Sequence, residues 1–400
     1  MTLSGLARHL FTTYGRYRMD HLARRNCRHA LIVNELRELC RTSGGLLTMQ
    51  EIGYSLEGRA INEISCGSGR TRILLWTQMH GDETTATLAT MDVLNFLVHR
   101  SEHEPWVREM LGQIRLCAVP MLNPDGAERM QRRTAAEIDL NRDARVTATP
   151  EAKLLWRVHR RFRPAVGFNL HDQELSTVGN SKAVTAIALL APATDEKRTT
   201  PRSRLRAMRI AATMSRSLSQ FIEGHIAGYD DTFEPRAFGD NLQGDGTSTV
   251  LVESGHWQND PEKHFVRKLN YVALLSAFRA VGNGSYQDVD LDHYLHLKPN
   301  GKNAYDIIVR DVVAEHPNGW SHNIDIGLSC ESIHNRNSPP LVVTVKDLGD
   351  LNTHTAVETI QGHGRKVPVE SVAMERVVAL NDLLKELQLY HQSVWDPQNA

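Results

Sequence analysis

The chain has 400 residues, 41% of them hydrophobic and 23% charged, with a formal net charge of -1. That length and hydrophobic share allow a sizeable core and more than one domain, and exclude a disordered chain. The charge balance argues against a general nucleic-acid binder, and no apolar run approaches the ~20 residues of a membrane-spanning helix.

The first 44 residues read as a helical segment. Within residues 1–29, Arg8, Arg16, Arg18, Arg24, Arg25 and Arg28 face only one acid, Asp20, a pattern that a transit peptide could show and that reads first as a basic surface helix. Residues 29–41 carry apolar residues at helical spacing, stopped by Thr-Ser-Gly-Gly. Residues 47–69 read as two short strands around a Ser-Leu-Glu-Gly-Arg turn. Residues 72–80, "RILLWTQMH", are of buried-strand type, and 84–100 are helical, with Met91, Leu94 and Val98 on one face. A second strand, "IRLCAVPML", runs into a turn signal, Asn123-Pro124-Asp125-Gly126. A helix with Pro150 at its start follows. A third strand (165–173), a helix (204–225), a fourth strand (247–256) and a helix (262–281) complete the alternation.

Strands alternating with long helices imply an α/β fold: a mixed, mostly parallel sheet with helices on both faces, over residues 45–285. After about residue 283 the order changes. Short candidate strands at 303–313, 323–329, 339–349 and 355–360 precede a helix at roughly 374–390. Residues 286–400 therefore read as a smaller β-rich C-terminal unit. His316 and His322 lie in it, without an acid or cysteine to complete a metal set.

Four predicted strands end in polar residues: His80 with Glu83, Asn123 to Gly126, His171 with Asp172, and Glu253 with Ser254. In an open α/β sheet, ligands sit outside the carboxyl ends of the strands. Two His and one carboxylate are the protein ligands of many catalytic zinc sites, leaving a fourth position for water. His80 on the strand exit, Glu83 in the first helical turn and His171 from another strand would supply them, with Asp172 able to orient a ligand. A carboxylate closing a buried strand, Glu253, is either paired with a buried Arg or a base for the water. Residues 128–145 put Arg132, Arg133, Asn141 and Arg142 in one loop, where guanidinium forks could bind a carboxylate or an oxyanion.

The ordered set H-x-x-E, N-P-D-G, R…D-L-N-R, strand-end His and strand-end Glu resembles the zinc metallocarboxypeptidases of the pancreatic carboxypeptidase type, over about residues 45 to 285. The resemblance implies one Zn²⁺ per chain on His80, Glu83 and His171. It implies Glu253 as the general base for a metal-activated water, and Asn141 with Arg142 as the grip on the substrate's terminal carboxylate. The family's carbonyl-polarising Arg falls on Arg132, nine residues ahead of Asn141, with Arg133 as the neighbouring choice. Its mobile Tyr corresponds to Tyr229. Its specificity pocket falls near Phe238 to Asp240, where Asp240 either favours a basic side chain or caps a turn.

The expected activity is hydrolysis of the C-terminal peptide bond of a peptide with a free carboxylate, with no nucleic-acid or membrane partner. The alternatives are a zinc-dependent deacylase of small N-acyl amino acids and a non-catalytic binding protein on the same scaffold. Cys27, Cys40, Cys66, Cys117 and Cys330 form no C-x-x-C, and the N-terminus lacks an apolar signal core. Both fit a cytoplasmic location.

Overall fold

The computed structural model describes residues 1–24, 27–100, 104–331 and 342–389. They form two compact units. The first comprises Met1–Gln173, Ile187–Ser254 and Val266–Pro299; the second comprises Glu174–Ala186, Gly255–Phe265 and the residues from Asn300 onward. The N-terminal residues expected to be a segment of their own lie within the first unit. Arg25, the strand residues 339–341 and helix residue 390 of the sequence reading fall outside the described residues.

In chain order the elements begin with α1 (Leu3–Thr13), α2 (His29–Thr42), β1 (Thr48–Tyr54), β2 (Ala60–Cys66), β3 (Thr71–Thr77) and α3 (Thr85–Arg100). Next come α4 (Pro105–Gln113), β4 (Ile114–Val119), α5 (Pro124–Arg129), α6 (Pro150–Phe162) and β5 (Val166–Asp172). Then follow β6 (Thr177–Val178), β7 (Ile187–Leu190), α7 (Arg202–Ile222), β8 (Ile226–Gly228), α8 (Phe238–Gly244), β9 (Ser248–Ser254) and α9 (His264–Asn283). The remainder is α10 (Asp292–Leu295), β10 (Asn300–Gly301), β11 (Ala304–Glu315), β12 (Ser321–Glu331), β13 (Val342–Gly349), β14 (Thr355–Pro368), β15 (Val377–Ala379) and α11 (Leu380–Glu386).

The first unit is built on an eight-stranded sheet, ordered β1-β2-β4-β3-β5-β9-β7-β8. Its centre, β4-β3-β5-β9, is parallel; β1, β2 and β7 join antiparallel, and β8 runs parallel to β7. The central strands are apolar throughout because helices cover both faces. Leu154, Leu155 and Val158 of α6 bury Leu74, Trp76, Cys117 and Val119 on one face. Phe278 of α9 meets Phe168 of β5, ring centroids 5.5 Å apart. Thr149 caps α6 by accepting the Ala152 N–H, and Pro150 opens the helix, where its missing N–H costs nothing.

The N-terminal residues are tied in by a buried charge pair. Asp92 of α3 accepts from Arg267 of α9 at 2.5 and 2.6 Å. Arg267 also donates to the carbonyls of Leu22 and Met19, and Asp92 accepts from the Tyr14 hydroxyl and the Met19 N–H. A buried pair with its remaining hydrogen bonds met in this way is costly to break from one side.

The second unit carries a five-stranded sheet, β14-β11-β12-β13-β15. Ile307, Val309, Ile324, Ile326, Val343 and Val345 pack there against Leu383, Leu384 and Leu387. The helix expected at 374–390 is shorter than its pattern. Val377–Ala379 pairs with β13 as β15, and only Leu380–Glu386 is helical. Two consecutive β-branched valines favour the ladder over the helix.

Candidate metal centre

The polar junction after β3 is set by backbone geometry. Gln78 adopts a left-handed conformation (φ 51°), strained for a residue with a side chain. Its amide is committed twice: Nε2 donates to the Gly81 carbonyl at 2.8 Å, and Oε1 accepts from the Thr87 hydroxyl at 2.8 Å. Gly81 packs on backbone, since a Cβ there would lie 2.0 Å from the Gly126 carbonyl carbon. Asn123-Pro124-Asp125-Gly126, read from sequence as a turn, is instead the start of α5, with Asn123 capping the Gly126 N–H at 2.9 Å. Asn123 Nδ2 also donates to the Met79 carbonyl at 3.2 Å, so this residue holds the segment that presents His80.

His80, Glu83 and His171 come together, with one ligand atom from each lying within 4.8 Å of the others. All three are buried. Glu83 Oε1 lies 2.6 Å from His80 Nδ1, and Oε2 lies 2.8 Å from His171 Nδ1. Glu83 differs from its expected place. Helix α3 begins two residues later, so the carboxylate sits in the turn, not in the first helical turn. The histidines and the Asp172 N–H, 3.2 Å from Oε2, stabilise it in place of the helix macrodipole.

Burial alone would raise the Glu83 carboxyl's pKa, but the two imidazoles hold it below the usual carboxylate range. Burial would lower His80; Glu83 and Asp139 outweigh it and push His80 up to about 9. Burial wins at His171, whose value is lowered despite Glu83.

Asp139 is the residue that sequence reasoning missed. Its Oδ1 lies 3.0 Å from His80 Nε2 and also accepts the Asn141 N–H at 2.9 Å. An imidazole held at Nε2 by a carboxylate is fixed in tautomer and orientation, with Nδ1 turned to the ligand cluster. The available signal was the Asp of "DLNR", two residues ahead of Asn141. Asp172, the expected orienting group, acts through its N–H, while its carboxylate accepts from the Thr85 hydroxyl at 2.6 Å.

Arg132 reaches this cluster. Its Nη1 lies 3.3 Å from Glu83 Oε1 and 3.1 Å from His80 Nδ1, and its Nε donates to Asp139 at 3.1 Å. Arg133 instead donates to the Glu137 carbonyl, 2.9 Å away in its own loop. Glu253 is buried near the end of β9. It pairs in register with His171 across the parallel β5–β9 ladder, which puts both side chains on the same face of the sheet.

Asn141 lies on a 3-10 turn, Leu140–Arg142. Its Oδ1 accepts the Phe238 N–H at 3.0 Å, and its Nδ2 lies 3.5 Å from His171 Nε2. Arg142 pairs with Glu234 at 3.1 Å. Tyr229 follows β8, and its phenol is pushed up to about 12, chiefly by the Glu253 charge, then by burial and Glu83. That response places its ring in the field of the cluster.

Asp240, in the first turn of α8, accepts the Glu234 N–H at 3.1 Å and so braces the loop that pairs with Arg142. Burial pushes its carboxyl up to about 6 from an ordinary 3.8. The folded chain thus holds this proton more tightly than the unfolded one. The associated stability is fully present below about pH 4 and is lost as pH rises to about 6. Asp240→Asn keeps the acceptor and removes the charge. The variant is expected to match the parent at pH 4 and exceed it by roughly 2 kcal/mol at pH 7.5. Urea unfolding at the two pH values measures this, and equal stability at pH 7.5 would contradict it.

The donor chemistry fits Zn²⁺: two imidazole nitrogens and one carboxylate, buried, with a second carboxylate on one imidazole. Comparisons with known proteins point the same way. Residues 32–177 match the family described as zinc carboxypeptidase. A protein named "Probable carboxypeptidase 2" from Trichophyton verrucosum is 26% identical over 147 residues, covering 34% of this chain and 28% of that one. "Carboxypeptidase 2" of Trichophyton tonsurans is 26% identical over 105 residues, covering 26% of this chain and 19% of that one. The matches thus span under a third of these relatives' length. Among solved structures, a metallo-carboxypeptidase from Burkholderia cenocepacia superposes with a TM-score of 0.51 at 15% identity, covering 64% of this chain and 69% of that one. Thrombin activatable fibrinolysis inhibitor superposes with a TM-score of 0.53 at 11% identity, covering 70% and 81%. At these identities the structural likeness is one of fold. The family match, over residues 32–177, runs through the H-x-x-E segment and His171, so this part of the chain is similar to zinc carboxypeptidases in sequence as well as in fold.

Proposed function

We propose that the chain is a metallocarboxypeptidase, hydrolysing the last peptide bond of peptides that end in a free carboxylate. The observation that carries this reading is the convergence of His80, Glu83 and His171, with Arg132 against the same carboxylate and Glu253 in register with His171. His80, Glu83 and His171 would hold one Zn²⁺. When bound, zinc would supply Lewis-acid polarisation and lower the pKa of water.

The chain's own residues supply the rest. Glu253 takes the proton of the attacking water and returns it to the departing amine. Arg132 offers guanidinium N–H groups to the carbonyl oxygen on which negative charge develops. Arg142 and the Asn141 amide grip the substrate's carboxylate. Arg142 already holds the Glu234 carboxylate, which supports the role: substrate binding exchanges one carboxylate for another at the same fork. The Tyr229 phenol, kept protonated well above neutral pH, is a further donor toward the substrate.

Blocking the C-terminus tests this. Short peptides with free C-termini are expected to lose their last residue, and their amidated counterparts to react at least about 100-fold more slowly, since charge-assisted hydrogen bonds of about 1.5–3 kcal/mol each are lost. Equal cleavage of the amidated peptides would sink the exopeptidase reading. Turnover confined to N-acyl amino acids would make the chain a deacylase.

A further inference from the structure

Away from the strand-end cluster, the sequence places Arg72 near the start of β3, Arg115 near the start of β4, and "RRFR" (160–163) at the end of α6. The fold brings them together. Arg72 and Arg115 lie directly opposite each other in the parallel β3–β4 ladder and share a face of the sheet. Helix α6 covers that face and ends over the amino ends of these strands, where the chain turns at Arg163 (φ 51°). Arg72, Arg115, Arg160, Arg161, Phe162 and Arg163 line one open concavity of about 540 Å³. It lies at the amino edge of the parallel strands, opposite the carboxyl edge that carries His171 and Glu253.

Structural roles absorb part of this charge. Arg161 pairs with Glu63. Arg72 Nε donates to the Arg163 carbonyl at 2.8 Å, and the Arg160 guanidinium lies 5.2 Å from the Trp156 ring centre. Cations near a helix C-terminus are favoured by the helix macrodipole. Two observations go beyond that. Among the described residues, only Arg161 of the five has a carboxylate partner. The Arg72–Arg115 pair also sets like charges face to face, an arrangement that destabilises a ladder. In a chain of net charge -1, this is a local concentration of positive charge and not part of a general polycation.

Guanidinium forks match phosphate oxygens in bidentate fashion. One carboxylate fills one fork. A compact ligand bearing several phosphate groups can fill several at once and neutralise them together. The lining offers one ring, Phe162, and no other apolar wall, which excludes a hydrophobic ligand. We infer that this arginine pocket is a binding site for a soluble, multivalent phosphate, a small di- or triphosphate-bearing molecule, distinct from the metal centre. Among the described residues neither the Arg115 nor the Arg160 side chain has a carboxylate partner, so neutralising them breaks no ion pair of the fold.

Calorimetric titration of the full chain with tripolyphosphate at constant, near-physiological ionic strength tests the site. Saturable binding to one site is expected, with a tricarboxylate of similar size binding more weakly. Arg115→Gln/Arg160→Gln should weaken tripolyphosphate binding by about tenfold or more, because charge-assisted bonds are lost from two forks. Its circular dichroism and zinc binding should match the parent's. No saturable heat, or a double variant that binds as well as the parent, would overturn the proposal. So would tighter binding of a single-stranded oligonucleotide through the same arginines, or of anionic phospholipid vesicles that tripolyphosphate fails to displace. The outcome is independent of whether the chain cleaves peptides.

Discussion

Replacing Glu253 by Gln is expected to lower kcat for peptide hydrolysis by about 10²–10⁴, the range that a positioned acid–base group contributes. Gln has nearly the shape of Glu, so the buried end of β9 should keep its packing and its register with His171. What it lacks is the ability to take a proton from water and give one to an amine. The effect should therefore fall on kcat, with KM little changed, because the proposed carboxylate grip lies with Arg142 and Asn141. Steady-state kinetics on a short peptide, with bound zinc measured on the same preparation, separates loss of the base from loss of the metal. Near-parental turnover in zinc-loaded Glu253→Gln would remove Glu253 from the reaction.

The same variant has a readout that needs no substrate. The Glu253 charge is the largest cause of the raised Tyr229 value of about 12. Neutralising it should let that phenol ionise at lower pH, toward the ordinary tyrosine range. An ultraviolet pH titration of Glu253→Gln against Glu253→Gln/Tyr229→Phe isolates the one phenol. An unmoved Tyr229 would mean that the carboxylate and the ring do not share one field.

Much of this arrangement was legible because strand ends are legible. Apolar runs such as "ILLW" and "TVLV" allow few conformations, and polar residues at their carboxyl ends mark where a parallel sheet binds its ligands. Periodicity also marked α6 and α9. What escaped depends on tertiary contacts. Asn-Pro-Asp-Gly carries every signal of a turn, yet Asp125 is buried under Ser55 and Arg59, and the segment continues as α5. Strands β7 and β8, of four and three residues, are too short to show a period; pairing of β7 with β9 and of β8 with β7 makes them strands. Asp139 looked like one acid among several in a mixed-charge loop. Only the distance to His80 separates it from its neighbours. That Arg132 and not Arg133 reaches the Glu83 cluster depends on the direction each side chain takes from the loop, which sequence does not carry.

Changes to the proposed metal ligands should produce a graded loss of zinc. Glu83 is the centre of the cluster, with one oxygen toward each imidazole, and its carboxylate is the only anion among the three donors. Glu83→Gln keeps the shape but removes the charge that offsets a divalent cation in a buried site. Desolvating that cation against neutral donors alone is strongly unfavourable. Zinc should then fall from about one equivalent per chain to a trace after dialysis, with peptide hydrolysis falling to background. Asp139→Asn removes no ligand. It weakens the hold on His80 Nε2 and lowers the basicity of the imidazole, and should reduce zinc affinity by about 10–100-fold. Competition against a chelator of known affinity measures both variants, and circular dichroism shows whether the sheet survives. The ordering is the decisive part. A Glu83→Gln protein that holds zinc as tightly as the parent would show that the metal sits elsewhere. An Asp139→Asn protein with unchanged affinity would reduce Asp139 to a brace for the Leu140–Arg142 turn, where its Oδ1 already accepts the Asn141 N–H.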